Sequence, residues 1–270
     1  MSLYKKRKKS SSVVGVLAII AIVLIFGVAG YVGYLDLSKD TTDKVSMCPS
    51  SGAKGEYVVL IDNTSPFPFT QQAALKNRLQ NMVMREVPEG AMVTIFLLGE
   101  DFKHNSEPMF EKCNPGQWND KNKYMSTQKF VEKDFNEKFA KPMAEVVRNI
   151  PLDVRAKSSP IFEMLQLASM RGFNHKYANG DKHLIIYSDM AANTSEFSMY
   201  KNSQLNFKDF SKTEYGQKTI APDLAGALVT INMMATEPTV TPYGKRAEFW
   251  AQYFSANKAS LDHVNPMEGL

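Results

Sequence analysis

The chain has 270 residues, 44% of them hydrophobic and 22% charged, an ordinary composition for a folded protein that excludes general disorder. Its net charge is +4, yet five cations (Lys5, Lys6, Arg7, Lys8 and Lys9) precede residue 12, so everything after them stands at −1. A nearly neutral body leaves no electrostatic footprint for nucleic acid, and that partner class is set aside.

Residues 1–12 read as a basic tail. Residues 13–35, "VVGVLAIIAIVLIFGVAGYVGYL", contain no charged side chain. A helix needs about 20 apolar residues to cross the hydrocarbon core, so this stretch is expected to be a transmembrane helix. Tyr31 and Tyr34 fall near its outer end, where amphipathic rings favour the interface. A cleaved signal peptide is the competing reading, but its apolar core would run only about 7–15 residues. The basic flank then places the N-terminus in the cytoplasm and the main domain outside it. The expected location is the bacterial inner membrane, with the domain periplasmic. Small residues at Gly15, Ala18 and Ala21 and at Gly27, Gly30 and Gly33 suit packing against other membrane helices.

Residues 36–55 are polar and read as a linker. Cys48 lies within it and Cys113 lies later, both on the expected exterior side, where an oxidising environment favours a disulfide over two separate thiols. No C-x₂-C pair occurs and there are only four histidines, so zinc has nothing to build on.

From residue 56 the pattern alternates. Tyr57–Ile61 is an apolar run ending on Asp62, the expected first strand. Thr70 is a candidate N-cap for a helix over 71–87, and 91–99 a second strand. Residues 100–128 form a polar, aromatic-spiked insertion containing "NPG", a turn signal. Residues 130–149 return to helix. A further helix is expected over 158–172, with Ser159 as N-cap and Pro160 and Gly172 bounding it. "HLIIYSD", 183–189, is a strand that again ends on an aspartate. Residues 225–234 read as another strand, 245–257 as a closing helix and 258–270 as a tail. Strand–helix alternation predicts an α/β domain over 56–257, a mostly parallel sheet with helices on both faces.

In such a sheet, ligands bind outside the carboxyl ends of the strands, where Asp62 and Asp189 both fall. "DNTSP" at 62–66, "SSPIFEML" at 158–165 and "YSDM" at 187–190 together resemble the von Willebrand factor A-type (vWA) domain. That family builds a metal-ion-dependent adhesion site from Asp-x-Ser-x-Ser, a later Thr and a later Asp. The resemblance implies Asp62, Thr64, Ser159 and Asp189 as metal ligands, for Mg²⁺ or else Mn²⁺ or Ca²⁺. It also implies a protein partner at the carboxyl edge, supplying a carboxylate to the metal. Pro66 replaces the second serine and Met190 the usual glycine, so the motif is degenerate. Without a metal, Asp62–Ser65 would make an Asx-type turn and Ser159 a cap. A narrower likeness, to membrane-anchored bacterial proteins of uncharacterised role, rests on Cys48–Pro49, "VVLIDNTSP", "CNPG", "SSPI", "SDM" and Phe249–Phe254. It supports the fold and the disulfide and brings no activity with it.

Enzyme readings find less. Asp62 followed by Thr64 is similar to the nucleophile loop of haloacid-dehalogenase-type phosphatases, but the second carboxylate that would act as general acid is missing. There is no G-x-S-x-G elbow and no phosphate loop. The sequons at Asn63 and Asn193 read as chance. Phe67 and Phe69, alternating with Pro66 and Pro68 beside the edge, are the expected partner surface; Trp118 and Tyr124 are expected to pack the insertion or add to that surface. The sequence therefore predicts a membrane-anchored interaction module, a subunit or scaffold of an envelope complex, with a membrane-anchored hydrolase using Asp62 as the alternative.

Overall fold

The computed structural model describes residues 12–37, 41–104, 106–118, 127–175, 178–200, 205–235 and 240–267. The chain divides into two units, Met1–Thr41 and Thr42–Leu270. In the first, α1 (Ser12–Leu37) contains a span, Gly15–Tyr34, of mean hydropathy 2.7. It is long and apolar enough to cross a membrane, and a helix apolar on every side requires an apolar environment.

The second unit is built on six strands: β1 (Glu56–Asp62), β2 (Met92–Leu98), β3 (Phe110–Cys113), β4 (Lys182–Ser188), β5 (Ala227–Met233) and β6 (Ser260–Pro266). They run in the order β3-β2-β1-β4-β5-β6. All neighbours are parallel except β2 and β3, so the α/β expectation is met. Alternation along β1 sends Val58 and Leu60 into one core and Val59 and Ile61 into the other. Helices α2 (Phe69–Asn81), α3 (Gln128–Phe135) and α4 (Lys141–Asn149) cover the second face. Both α2 and α3 widen into a π turn, at Met82–Glu86 and Asn136–Ala140.

The first face is closed by α5 (Ile161–Gly172), α6 (Phe207–Phe210), α7 (Glu214–Lys218) and α8 (Tyr243–Ala256). Phe162 is its centre, with ring centroids of Phe210 and Trp250 at 4.8 Å and Tyr253 at 5.3 Å. Aromatic packing of this kind contributes about 0.5–1.5 kcal/mol per pair beyond burial. At the far end of α5, Gly172 faces Val58; a Cβ there would lie 2.4 Å from a valine methyl, so glycine lets the helix approach the sheet.

Three expectations are corrected. Residues 258–270 are not all tail, because 260–266 form β6 on β5; only Leu261 and Val264 face the core, too few to mark a strand in sequence. The insertion hides β3, a four-residue edge strand. The linker ends early: residues 42–55 belong to the domain, with Lys54 N–H donating to Gly90 O and Asn179 N–H to Ala53 O. The helix starts also differ. Thr70 lies inside α2, which begins after Pro68, and α5 begins after Pro160, with no side-chain cap from Ser159.

The amino ends of the strands are locked together. Cys48 and Cys113 form a disulfide across 65 residues, and Cys113 N–H donates to Ser46 O. Nearby, His175 Nδ1 lies 3.0 Å from Glu56 on β1 and Nε2 lies 3.5 Å from Glu111 on β3. Hydrogen bonds to these two carboxylates raise the imidazole to about 9, so it is the charged clasp between two strands at neutral pH. Closing a loop of this length removes roughly 4 kcal/mol of unfolded-chain entropy in the simple polymer picture. Reducing the bond is therefore expected to lower the unfolding free energy by about 2–4 kcal/mol, read as a shift in denaturation midpoint of the full chain with and without reductant. Coincident curves would mean that the staple constrains nothing.

Candidate functional site

The strand order reverses between β1 and β4, so the connections leave those two strands in opposite directions and open a crevice at their carboxyl ends. Asp62 is the last residue of β1 and Asp189 follows the last residue of β4. Both are buried, at 1% and 3% exposure.

The turn after β1 wraps around its own carboxylate. Asp62 Oδ1 accepts from Thr64 N–H at 2.9 Å and from the Thr64 hydroxyl at 2.7 Å, the Asx turn that the sequence suggests. Asp62 Oδ2 accepts from the Ser188 hydroxyl at 2.6 Å. The Thr64 and Ser159 hydroxyls are 2.8 Å apart; a hydroxyl has one proton, so with Thr64 donating to Asp62, Ser159 supplies the bond between them. Ser159 is fixed by two backbone hydrogen bonds with Asn193, at 2.7 and 2.9 Å. Asp189 accepts from Ala191 N–H at 2.9 Å and from the Ser65 hydroxyl at 3.4 Å. The four residues singled out in sequence, Asp62, Thr64, Ser159 and Asp189, thus converge on one buried cluster.

Three members gave no usable signal in sequence. Ser188 is the strand residue before Asp189 and reads in sequence as an ordinary strand position. Ser65 lies one step off the alternating motif and reaches Asp189 instead. Arg246 on α8 is buried, and its guanidinium favours the ionised form of Asp189 by charge. Among the described residues its Nε and Nη1 have no hydrogen-bond partner.

Met190 has φ 56° and is fully buried. This is the left-handed region where glycine is at ease, so methionine keeps the turn a glycine would make, at a strain on the order of 1 kcal/mol. The Trp250 indole N–H donates to Met190 O at 2.9 Å and fixes the turn from the core.

Phe67 is corrected as a surface residue. It is 3% exposed and part of the second core, with its N–H on Leu152 O. Phe69, at 84% exposure, stays a surface candidate. Trp118 is half-buried, and Tyr124 lies outside the described residues.

Burial is the largest cause that pushes Asp62 up, to about 6, with the Asp189 charge adding to it and the hydroxyls of Ser188 and Thr64 opposing it. Burial also raises Asp189, against Ala191 N–H, Arg246 and Ser65. Two carboxylates with one guanidinium in reach leave a buried negative charge that a proton or a cation relieves. Among the described residues no group of three or more His, Cys, Asp or Glu side chains is placed to hold a metal. The cluster's donors are two carboxylates and several hydroxyls, all oxygen.

No protein-family model and no curated relative matches the chain. Among solved structures, the chain is similar to the crystal structure of the human COPII-coat protein Sec24c, with 9% identity and a TM-score of 0.40. The match covers 80% of this chain and 30% of that one, and concerns the fold alone.

The folded protein holds the Asp62 proton more tightly than the unfolded chain does. The resulting stabilisation is full below about pH 4 and is lost as pH rises through about 6. Between pH 7 and pH 5 the wild type is expected to gain about 1 kcal/mol relative to Asp62→Asn, which cannot titrate. Unfolding midpoints of both proteins across that range test this; parallel curves would show that Asp62 keeps an ordinary carboxyl.

Proposed function

We propose that this protein is a single-pass, membrane-anchored vWA-like interaction module, N-terminus in the cytoplasm, that holds a protein partner at the carboxyl edge of its sheet as a subunit or scaffold of a bacterial envelope complex. One observation carries the reading. Asp62, Thr64, Ser159 and Asp189, far apart in sequence, meet at the β1/β4 crevice, the place where open α/β sheets take ligands. The apolar span at Gly15–Tyr34, the basic tail before it and the disulfide support the anchor and an oxidising location.

A divalent ion is part of the proposal. The chemistry of the donor set fits Mg²⁺, a hard cation that takes oxygen ligands and keeps several waters, and the excess buried negative charge gives it a reason to bind. Asp62, Thr64, Ser159 and Asp189 would hold it, with Pro66 offering no hydroxyl. Its charge would offset the two carboxylates and would present a coordination position to a partner. A hydrolase using Asp62 has less support, since both of its carboxylate oxygens already accept hydrogen bonds, and the neighbouring carboxyl, Asp189, is itself engaged by Ala191 N–H and the Ser65 hydroxyl.

Two measurements on the full chain in detergent or native membranes test this. Calorimetric titration with Mg²⁺ is expected to give saturable binding that is lost in Asp62→Asn and in Asp189→Asn. If no ion binds, the metal part falls and the hydrogen-bonded edge stands by itself. A photo-crosslinking residue replacing exposed Phe69 is expected to give a discrete adduct that weakens several-fold in the Asp62→Asn background, with none from a probe replacing Lys212. Absence of any adduct from the edge would sink the docking reading.

A further inference from the structure

Beside Asp62 the carboxyl edge opens into a cleft of about 610 Å³, lined by the end of β2, the segment that leads to β3 and the irregular stretch before α5. β2 is paired with β1 along its whole length, Met92 to Leu98, but with β3 only as far as Ile95. Backbone groups alternate sides along a strand. Leu98 O accepts from Asn63 N–H toward β1 and Ile95 O accepts from Met109 N–H toward β3, so Leu97 N–H and C=O point toward the side where β3 has ended. Among the described residues nothing bonds them. Leu97 and Gly99, both half-buried, line the cleft at that point. An unpaired stretch of strand edge is a template for another strand.

The walls carry more acid than base. Asn63 lines the cleft directly after Asp62, and its Oδ1 is buried with no hydrogen-bond partner among the described residues. Glu100, Asp101 and Glu107 add three carboxylates, against His104 and Arg155. Asp101 faces His104, and Glu107 faces Arg171, but these are exposed pairs that contribute little and exchange readily. Glu100 accepts from Lys157 N–H and the Ser158 hydroxyl, which fixes its carboxylate in place. The cleft is rich in acceptors and poor in donors. The apolar walls, Met109, Pro151 and Val154, suit the alternate side chains of an extended chain.

We propose that this cleft takes an extended, basic segment of the partner protein, which pairs its backbone with β2 at Leu97 and presents arginine or lysine to Asn63, Asp101 and Glu107. The inference rests on the docking-edge reading and adds the chemistry of what docks. Main-chain pairing would give affinity and the acidic wall would give choice of sequence, the division of labour usual when a peptide adds to a sheet edge. The charge term also makes association fall with salt.

The test uses the full chain in detergent micelles and two fluorescent extended peptides, one alternating valine with arginine and one alternating valine with glutamate. The arginine peptide is expected to bind and the glutamate peptide not to. Replacing the two exposed carboxylates together, Asp101→Asn with Glu107→Gln, is expected to weaken binding about three- to tenfold. Amide exchange at Leu97 should slow when the arginine peptide is bound. Equal binding of both peptides, no effect of the double variant, unchanged exchange at Leu97 or failure of the arginine peptide to bind would each overturn the proposal. The Phe69 adduct separates the two levels. If it forms and depends on Asp62 while the arginine peptide does not bind, the edge docks something else; if it is also absent, both readings fall.

Discussion

Everything at the carboxyl edge follows from burying a carboxylate at the end of the central strand. Asp62 lies between β2 and β4, in the interior of the sheet, where an ionised group survives only if its oxygens are fully hydrogen-bonded. The chain meets that demand locally with Thr64 and across the sheet with Ser188. Those bonds pull the turn after β1 down onto the end of β4, and Ser159 is drawn in through Thr64. A buried polar network is costly if any member is missing and specifies one arrangement if all are present. Here it sets the relative positions of three loops that no regular element connects.

The two faces of the sheet have different duties. The aromatic core around Phe162 supports the β4 side, reaching the edge through Trp250 and Met190. The opposite core places Phe67, and through Phe67 the chain entering α2, against the segment before α5. Each wall of the crevice is therefore seated on its own hydrophobic layer. The edge is placed by packing, and the small strain at Met190 is carried by the tryptophan that holds the turn.

Much of this was legible in sequence. Apolar runs bounded by turns gave β1, β2, β4 and β5, because buried parallel strands are nearly continuous in hydrophobic residues. The strand-ending aspartates mark the crevice in sequence, because the carboxyl ends of parallel strands are where it opens. Edge strands were not legible. β3 and β6 bury few side chains, and Phe110 with Cys113, or Leu261 with Val264, do not separate from loop composition. Prolines misled at the helix starts: Pro68 and Pro160 precede α2 and α5, which leaves Thr70 inside a helix and frees Ser159 for Thr64. The alternation of Phe67 and Phe69 with prolines suggested two exposed rings, whereas backbone pairing of Phe67 with Leu152 turns that ring inward. Arg246 was invisible because one arginine in an amphipathic helix looks like a solvent residue.

The borders of the sheet differ from its crevice in a way that matters wherever copies of the domain meet at high concentration. On one side, the Cys48–Cys113 staple lays Ser46 over the outer rim of β3. On the other, β6 slips register at Asp262, beside His263, and finishes on Pro266, which has no N–H to offer. Copies crowded side by side would find neither rim fit for growing a continuous sheet. Neighbours can assemble through helices and loops without the runaway polymerisation that bare strands invite, and any added strand is confined to one corner of the molecule.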